Sequence, residues 1–408
     1  MAQGEKNGVQ GLRLIDGEEL HRMVPTVNGK FALWSPNSGI MDPFMYTIAL
    51  AENAAMNGVL YFLDNEVTAI SFDSCEETYR ITARHNVSGG CTDYLARWVV
   101  NSAGLNCGRI SDMLGLTGYR VVFSKDHYII LDQRCGKDVP LPLYTVPTNT
   151  YMGIHVTPTV DGNVLVGPDA EEYPEASIYD VPQKNIDFLA EDASILWPHI
   201  HKKDYIRTYC GVLPKCVDKS GAVQDFKIEI RDDVAPRAVN LVGIESPGLT
   251  CAVPIARHVV SMMMERERFE DNPDFNGKRK GIRRFADMSD KERAEAIRED
   301  PDYGELVCRC ERVSRAEVLQ AIRNPLGVDT MTGIKYRTRA MMGRCQGGYC
   351  QMRVEQMIEA DGKAAHPCAS AGTRASCPSA EKGKCASEVL YNRQGSQVLF
   401  GKMREAEQ

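Results

Sequence analysis

Four cysteines arrive as two close pairs, Cys308-Arg-Cys310 and, after 34 intervening residues, Cys345-Gln-Gly-Gly-Tyr-Cys350. Four thiolates in one short segment suit a [2Fe–2S] cluster, which is held by four cysteine sulfurs. Tetrahedral zinc is the main rival, but zinc ligands usually come as Cys-x(2–4)-Cys, and the first pair here is tighter than that. Gly343, Gly347 and Gly348 beside the second pair would let backbone N–H groups approach the sulfurs, where hydrogen bonds tune a cluster's potential. Arg309, Arg312, Lys335, Arg337, Arg339 and Arg344 put positive charge around an anionic centre, while each taken singly reads as part of a solvated face.

Three further stretches carry residues that could do chemistry. In Gly153-Ile-His-Val-Thr157, period-two alternation sends His155 and Thr157 to one face and Ile154 and Val156 to the other. If the polar face lines a cavity, His155 is a candidate base or substrate ligand; otherwise it is a half-exposed strand histidine. The strand Trp98-Val-Val-Asn101 runs into Ser102, Ala103 and Gly104 and on towards a helix, a nucleotide-contact geometry that an ordinary βα turn shares. Val239–Gly243 leads through Ile244-Glu-Ser-Pro-Gly-Leu-Thr250 into a helix expected to reach about Phe269. There Ser246, Pro247, Gly248, Leu249 and Thr250 would face a ligand from a helix N-terminus, where free N–H groups and the helix dipole favour negative charge. A plain strand-loop-helix junction is the alternative.

The elements that must hold these residues are legible from caps and periodicity. Asp16-x-x-Glu19 starts a helix to Arg22. Asp42, Pro43 and Gly58 mark the two ends of another. Strands are expected at Glu66–Phe72, Thr78–His85 and Tyr128–Leu131. Asp161-Gly162 is a hairpin turn between Gly153–Thr157 and Asn163–Val166. Helices follow over Asp180–Leu196 and after Ser289-Asp-Lys-Glu292. In the cysteine segment Ser314-Arg-Ala-Glu317 is a capping box ahead of Val318, Leu319 and Ile322, and a second helix spans Gly333 to Met342.

Composition sets the class. The chain of 408 residues, 43% hydrophobic and 25% charged, is ordinary for a globular protein with two or three domains. A net charge of −7 argues against nucleic acid as the main partner. The opening Met-Ala-Gln-Gly-Glu-Lys is no signal segment, and Leu241–Met264, interrupted by Pro247 and Pro254 and carrying Glu245, Arg257 and His258, is not a membrane span. Fourteen cysteines without a secretory signal point to a reducing cytoplasm and to metal or cluster binding. Residues 269–304 form a charged linker whose basic run Lys278–Arg284 is expected to be solvated. Residues 360–408 are Ala/Ser/Gly/Lys-rich and expected to be a flexible tail, with Cys368, Cys377, Cys385 and His366 too widely spaced for a good second metal site.

Residues 307–351, with Cys-Arg-Cys-Glu and Gly-Arg-Cys-Gln-Gly-Gly-Tyr-Cys, resemble the bacterioferritin-associated-ferredoxin-like [2Fe–2S] domain, often fused to the C-terminus of flavin dehydrogenases. The resemblance implies Cys308, Cys310, Cys345 and Cys350 as the ligands. Upstream, residues 8–268 resemble FAD-dependent oxidoreductases of the D-amino-acid-oxidase fold through Ser35–Pro43, Val99–Leu105, Gly153–Ala170 and Val239–Ala256. The wording Gly-Ile-His-Val-Thr-Pro…Gly-Pro-Asp-Ala and Gly-Ile-Glu-Ser-Pro-Gly-Leu-Thr is similar to the branch of L-2-hydroxyglutarate and glycerol-3-phosphate dehydrogenases. Two departures stand out. The family's Gly-x-Gly-x-x-Gly, which cradles the FAD pyrophosphate, occurs nowhere in the 408 residues. Where relatives carry an arginine for the substrate anion in Gly-Val-Arg-Pro, this chain has Gly211-Val-Leu213-Pro214, with Lys215 or Arg207 as candidate substitutes.

The resemblance therefore implies an α+β or α/β chain: an incomplete FAD-binding domain with an antiparallel substrate-domain sheet over 1–268, the linker, and a small helical cluster domain over 305–359. It implies hydride transfer from a small hydroxy-acid, polyol-phosphate or amino-acid-like substrate to FAD, with electrons leaving through the cluster. The partners expected are that substrate and either a redox subunit or a complementing N-terminal chain that restores flavin affinity. A non-catalytic fragment serving electron relay or assembly, and a zinc-bound interaction module, are the competing readings.

Overall fold

The computed structural model describes residues 1–146, 153–173 and 179–361. The expected tail, with Cys368, Cys377, Cys385 and His366, lies outside the described residues from 362 onward.

The chain is organised on two long strands, Arg120–Leu131 and Tyr205–Val217, paired antiparallel from Val217↔Arg120 to Tyr205↔Leu131. The far edge of Arg120–Leu131 takes Glu171–Tyr173 at one end and Val164–Gly167 at the other. Val164–Gly167 pairs back on His155–Pro158 across the Asp161-Gly162 turn, and Leu143–Tyr144 completes the sheet. Alternation decides its faces. Ile129, Leu131, Ile154, Val156, Val164 and Val166 are fully buried together, under Leu189, Ala193 and Trp197 from helix Gln183–Leu196 and its end. The opposite face carries Tyr128, Tyr209, Tyr144 and His155. Sequence signals found the hairpin and the helix but only Tyr128–Leu131 of a strand 12 residues long; Ser124, Lys125 and Asp126 disguise its first half because that half is buried among polar groups.

A smaller sheet holds the expected nucleotide turns. Ala238–Val242 runs parallel to Val99–Asn101 and antiparallel to Lys227–Ile230. Asn101 donates to Asn240 at 2.8 Å, and Ser111 of helix Cys107–Met113 donates to the same Asn240 oxygen at 2.9 Å. These buried bonds fix the βα turn through Ser102 and Gly104 against its sheet. The helix after Thr250 spans Ala252–Met264, five residues short of the expected end.

The cysteine segment folds as two short strands, Leu306–Cys308 and Val313–Ser314, and three helices, Arg315–Ile322, Met331–Thr338 and Gln351–Asp361. The capping box at Ser314 forms, with Ser314 and Glu317 almost wholly buried. The second helix ends four residues before Met342, because Arg339 turns left-handed at φ 67°. Val307, Val318, Ala321, Ile334 and Val354 make this unit's core.

The basic residues correct the sequence reading. Arg337, 3% exposed, bonds Glu52 of helix Pro43–Met56 at 3.2 Å, and Arg279 bonds the other Glu52 oxygen at 2.5 Å. Arg284 of the same run lies 2.9 Å from Asp161. Arg337 and Arg279 are largely buried against one acid of the upstream domain more than 200 positions away, and Arg284, 39% exposed, meets a second; a single sequence cannot pair residues over such separations. Phe44 stacks on Tyr336 at 4.0 Å over the same seam. Removing one member of a buried ion group leaves the others desolvated and unpaired. Glu52→Ala should therefore lower stability by about 3 kcal/mol in chemical denaturation; a change within experimental error would show that the group is hydrated and energetically idle.

Candidate functional site

Cys308 ends its strand, Cys310 sits in the following turn, and Cys345 and Cys350 flank the turn that leads into Gln351–Asp361. The structure brings them together as two pairs. Cys310 Sγ and Cys345 Sγ are 3.5 Å apart, and the Cys308 and Cys350 thiols act on one another. The neighbouring Cys350, then the N–H groups of Glu311 and Met341, pull the Cys308 thiol down. The N–H of Tyr349, with that of Gly347, lowers Cys345, while the neighbouring Cys308 and burial push Cys350 up. Backbone N–H groups aimed at sulfur stabilise thiolate and, in a cluster, tune its potential.

The packing supports this convergence. A Cβ on Gly343 would stand 2.3 Å from the Cys310 Cβ, so only glycine admits the turn, and Gly347 adopts φ 96°. One tetrahedral zinc would need all four sulfurs mutually about 3.8 Å apart, given Zn–S near 2.3 Å. Among the described residues, no three such donors gather around a single ion-sized point. Two pairs, one for each iron, fit a dinuclear cluster.

The second site is a cleft of about 450 Å³ beside Val212–Pro214 of the strand Tyr205–Val217. Gly104 from one predicted turn and Ser246, Pro247, Leu249 and Thr250 from the other line it together with Leu213 and Pro214. Ser102, Ala103 and Gly248 belong to the same two turns without lining the cleft. The N-terminus of Ala252–Met264 points its positive dipole end this way, which fits the ring end of a flavin. Among the described residues no glycine-rich turn cradles a pyrophosphate, so the fit extends to the ring portion alone.

His155 lies elsewhere on the open sheet face, half-buried and edge-on to Tyr144 at 4.3 Å. Burial lowers its pKa, leaving a neutral imidazole able to accept a proton near neutral pH. It does not line the cleft. Sequence reasoning missed Asp126, on that same face next to Gly211 in register. Burial pushes its carboxyl up to about 6, against the nearby Lys215 and a bond from Ser124. Lys215 in turn lies 3.8 Å from Glu245, which lines the cleft. The signal available was the alternation Ser124-x-Asp126-x-Tyr128, masked by the apolar run after it. Arg207, the other proposed substitute, instead donates to Gln346 of the cysteine turn at 3.3 Å.

A flavin-sized cleft and a four-thiolate centre in one chain fit a flavin-dependent oxidoreductase with an iron–sulfur domain. Comparison with known proteins agrees. The family model described as FAD dependent oxidoreductase matches residues 1–262, and that of the BFD-like [2Fe-2S] binding domain matches 306–360. A glycerol 3-phosphate dehydrogenase of Caloramator mitchellensis is 33% identical over 359 residues, 87% of this chain and 72% of that protein. The mitochondrial L-2-hydroxyglutarate dehydrogenase of Arabidopsis thaliana is 27% identical over 65% of this chain and 62% of its own length. In fold, the FAD-bound L-α-glycerophosphate oxidase of Mycoplasma pneumoniae superposes with a TM-score of 0.54 at 24% identity, over 66% of this chain and 68% of that one. The chain belongs to the FAD dependent oxidoreductase family: it is an FAD enzyme of glycerol-3-phosphate-dehydrogenase-like type carrying a [2Fe–2S] domain.

Two outcomes check the site. Cys345→Ser should abolish the visible absorbance of anaerobically purified protein, whereas Cys377→Ser should leave it intact; the reverse would reassign the ligands. Asp126 holds in the folded state a proton that the unfolded chain releases near 3.8, so its burial costs stability as pH rises from there through about 6. Asp126→Asn should thus stabilise the chain by roughly 2 kcal/mol at pH 8, with the gain shrinking towards zero by pH 4. Equal gains in denaturation at both pH values would contradict the buried-carboxyl account.

Proposed function

We propose that the chain oxidises a small hydroxy-acid or polyol phosphate of the glycerol 3-phosphate type, and that electrons leave through the cluster. The observation that carries this reading is the strand Tyr205–Val217, which lines the cleft with Leu213 and Pro214 and reaches the cysteine turn with Arg207. One strand thus spans the distance between the two redox positions. FAD held in the cleft beside Gly104 and Ser246–Thr250 would supply a hydride acceptor for the substrate.

The chain's own groups handle the proton and the substrate's charge. When the substrate carbon loses hydride, its hydroxyl must lose a proton to leave a carbonyl. Asp126, perturbed to about 6, is ionised and basic enough at neutral pH to take it, and neutral His155 is the second candidate. Lys215 supplies positive charge where Leu213 cannot. The glycerol 3-phosphate relative at 33% identity supports the polyol-phosphate choice, and the L-2-hydroxyglutarate relative keeps a hydroxy-acid open.

We further propose residues 1–268, 269–304 and 305–359 as working units, a cytoplasmic location, and a redox subunit or complementing chain as partner. No helix among the described residues is long and apolar enough to cross a membrane. A chain serving only as an iron–sulfur relay is the competing reading. The test is anaerobic flavin reduction in a flavin-competent complex, with glycerol 3-phosphate and L-2-hydroxyglutarate offered separately. His155→Ala or Asp126→Asn should slow reduction about 100-fold if that residue is the base. Wild-type flavin that neither substrate reduces, beside a reducible cluster, would favour the relay.

A further inference from the structure

We propose that Arg339 is a positioning residue that sets the cluster's reduction potential through Glu311 and ties the cysteine turn to the hairpin bearing His155. Its guanidinium spreads over three partners from two domains. Nε donates to Glu311 at 2.8 Å, Nη1 to Asp161 at 2.7 Å, and Nη2 to Asn163 at 3.1 Å. Asp161 and Asn163 form the turn between the strands His155–Pro158 and Val164–Gly167. Glu311 follows the ligand Cys310 directly, and its carboxyl packs against Gly343 on the opposite cysteine turn, 3.0 Å from where a Cβ would stand.

The group is sequestered from water. Side-chain exposures are 15% for Arg339, 6% for Glu311 and 5% for Asp161, so salt and solvent screen these charges little. Arg284, 39% exposed, also pairs with Asp161 and lies 3.5 Å from Asp287, while Arg339 is the cation that meets Glu311. Arg339 also holds a left-handed backbone, φ 67°, a conformation that non-glycine residues rarely adopt. That conformation carries the guanidinium off the helix end and across the seam, and lysine could not span all three acceptors.

The electrostatic consequence has a sign. Reduction adds one electron to the cluster beside Glu311, and a buried carboxylate at that place opposes it. Arg339 offsets the carboxylate. Without it, the Glu311 carboxylate loses its cationic partner, so the oxidised form is favoured. The inference rests on the reading that the four thiols hold a redox-active cluster, and the experiment separates the two.

The full chain is loaded anaerobically with iron and sulfide and titrated with dithionite, which is oxidised to sulfite as the cluster takes up its electrons. Paramagnetic resonance reads the reduced fraction. Arg339→Gln should make reduction at least tenfold harder, a shift of about 59 mV to lower potential for a one-electron couple. Glu311→Gln should shift it the opposite way, and the double variant should return to within about threefold of wild type, as coupled neighbours require. Arg339→Lys, which keeps the charge, should recover most of the potential. If Arg339→Gln keeps its cluster at an unchanged potential, the proposal falls. If that variant does not load, Glu311→Gln decides alone, and an unmoved potential there is equally fatal. A wild-type chain that takes up no iron would remove the cluster reading and this inference with it.

Discussion

The rest of the molecule depends on the ladder between Arg120–Leu131 and Tyr205–Val217. Because side chains alternate along each strand, that one pairing sorts residues to two sides of the sheet. One side becomes a dry core of Ile129, Leu131, Val156, Val164 and Val166. The other keeps Asp126, Tyr128, Tyr209 and His155 available for chemistry. A slip of one residue in register would exchange the sides and bury the site. The length of the ladder matters as much as its register, since Leu213 lines the cleft and Arg207, six residues back, meets the cysteine turn.

Much of this was legible in the sequence where the governing interaction is local. Capping residues act within one turn of helix, so Asp42, Ser289 and Ser314 marked helix starts that the structure contains. The Asp161-Gly162 hairpin and the alternation around His155 were equally plain. The paired thiols announced a metal centre because cysteine spacing restricts what four sulfurs can hold. What stayed hidden depends on partners distant in sequence. Nothing near Asp126 tells that burial will raise its pKa, and nothing near Arg337 points to Glu52. The helix over Met331–Thr338 was overrun because Arg339 bears no glycine to announce its left-handed turn.

Those distant pairings also explain how a unit of about 55 residues is held on a larger domain. Its own core is small, and small cores contribute limited stability. The seam adds Phe44 on Tyr336, Glu52 between two arginines, and Asp161 between two more. Buried ion pairs are poor sources of net stability, yet they tolerate little misplacement. Apolar contact would hold the units together; the arginines dictate one orientation. That is what electron passage between fixed positions asks of a joint.

The four thiols are not equivalent. Cys308 and Cys350 are buried and Cys310 and Cys345 are exposed, each pair matching one iron of a two-iron centre. Solvent reaches one pair and not the other, so oxygen or a chelator would meet Cys310 and Cys345 first, and damage to a bound cluster would begin at that corner.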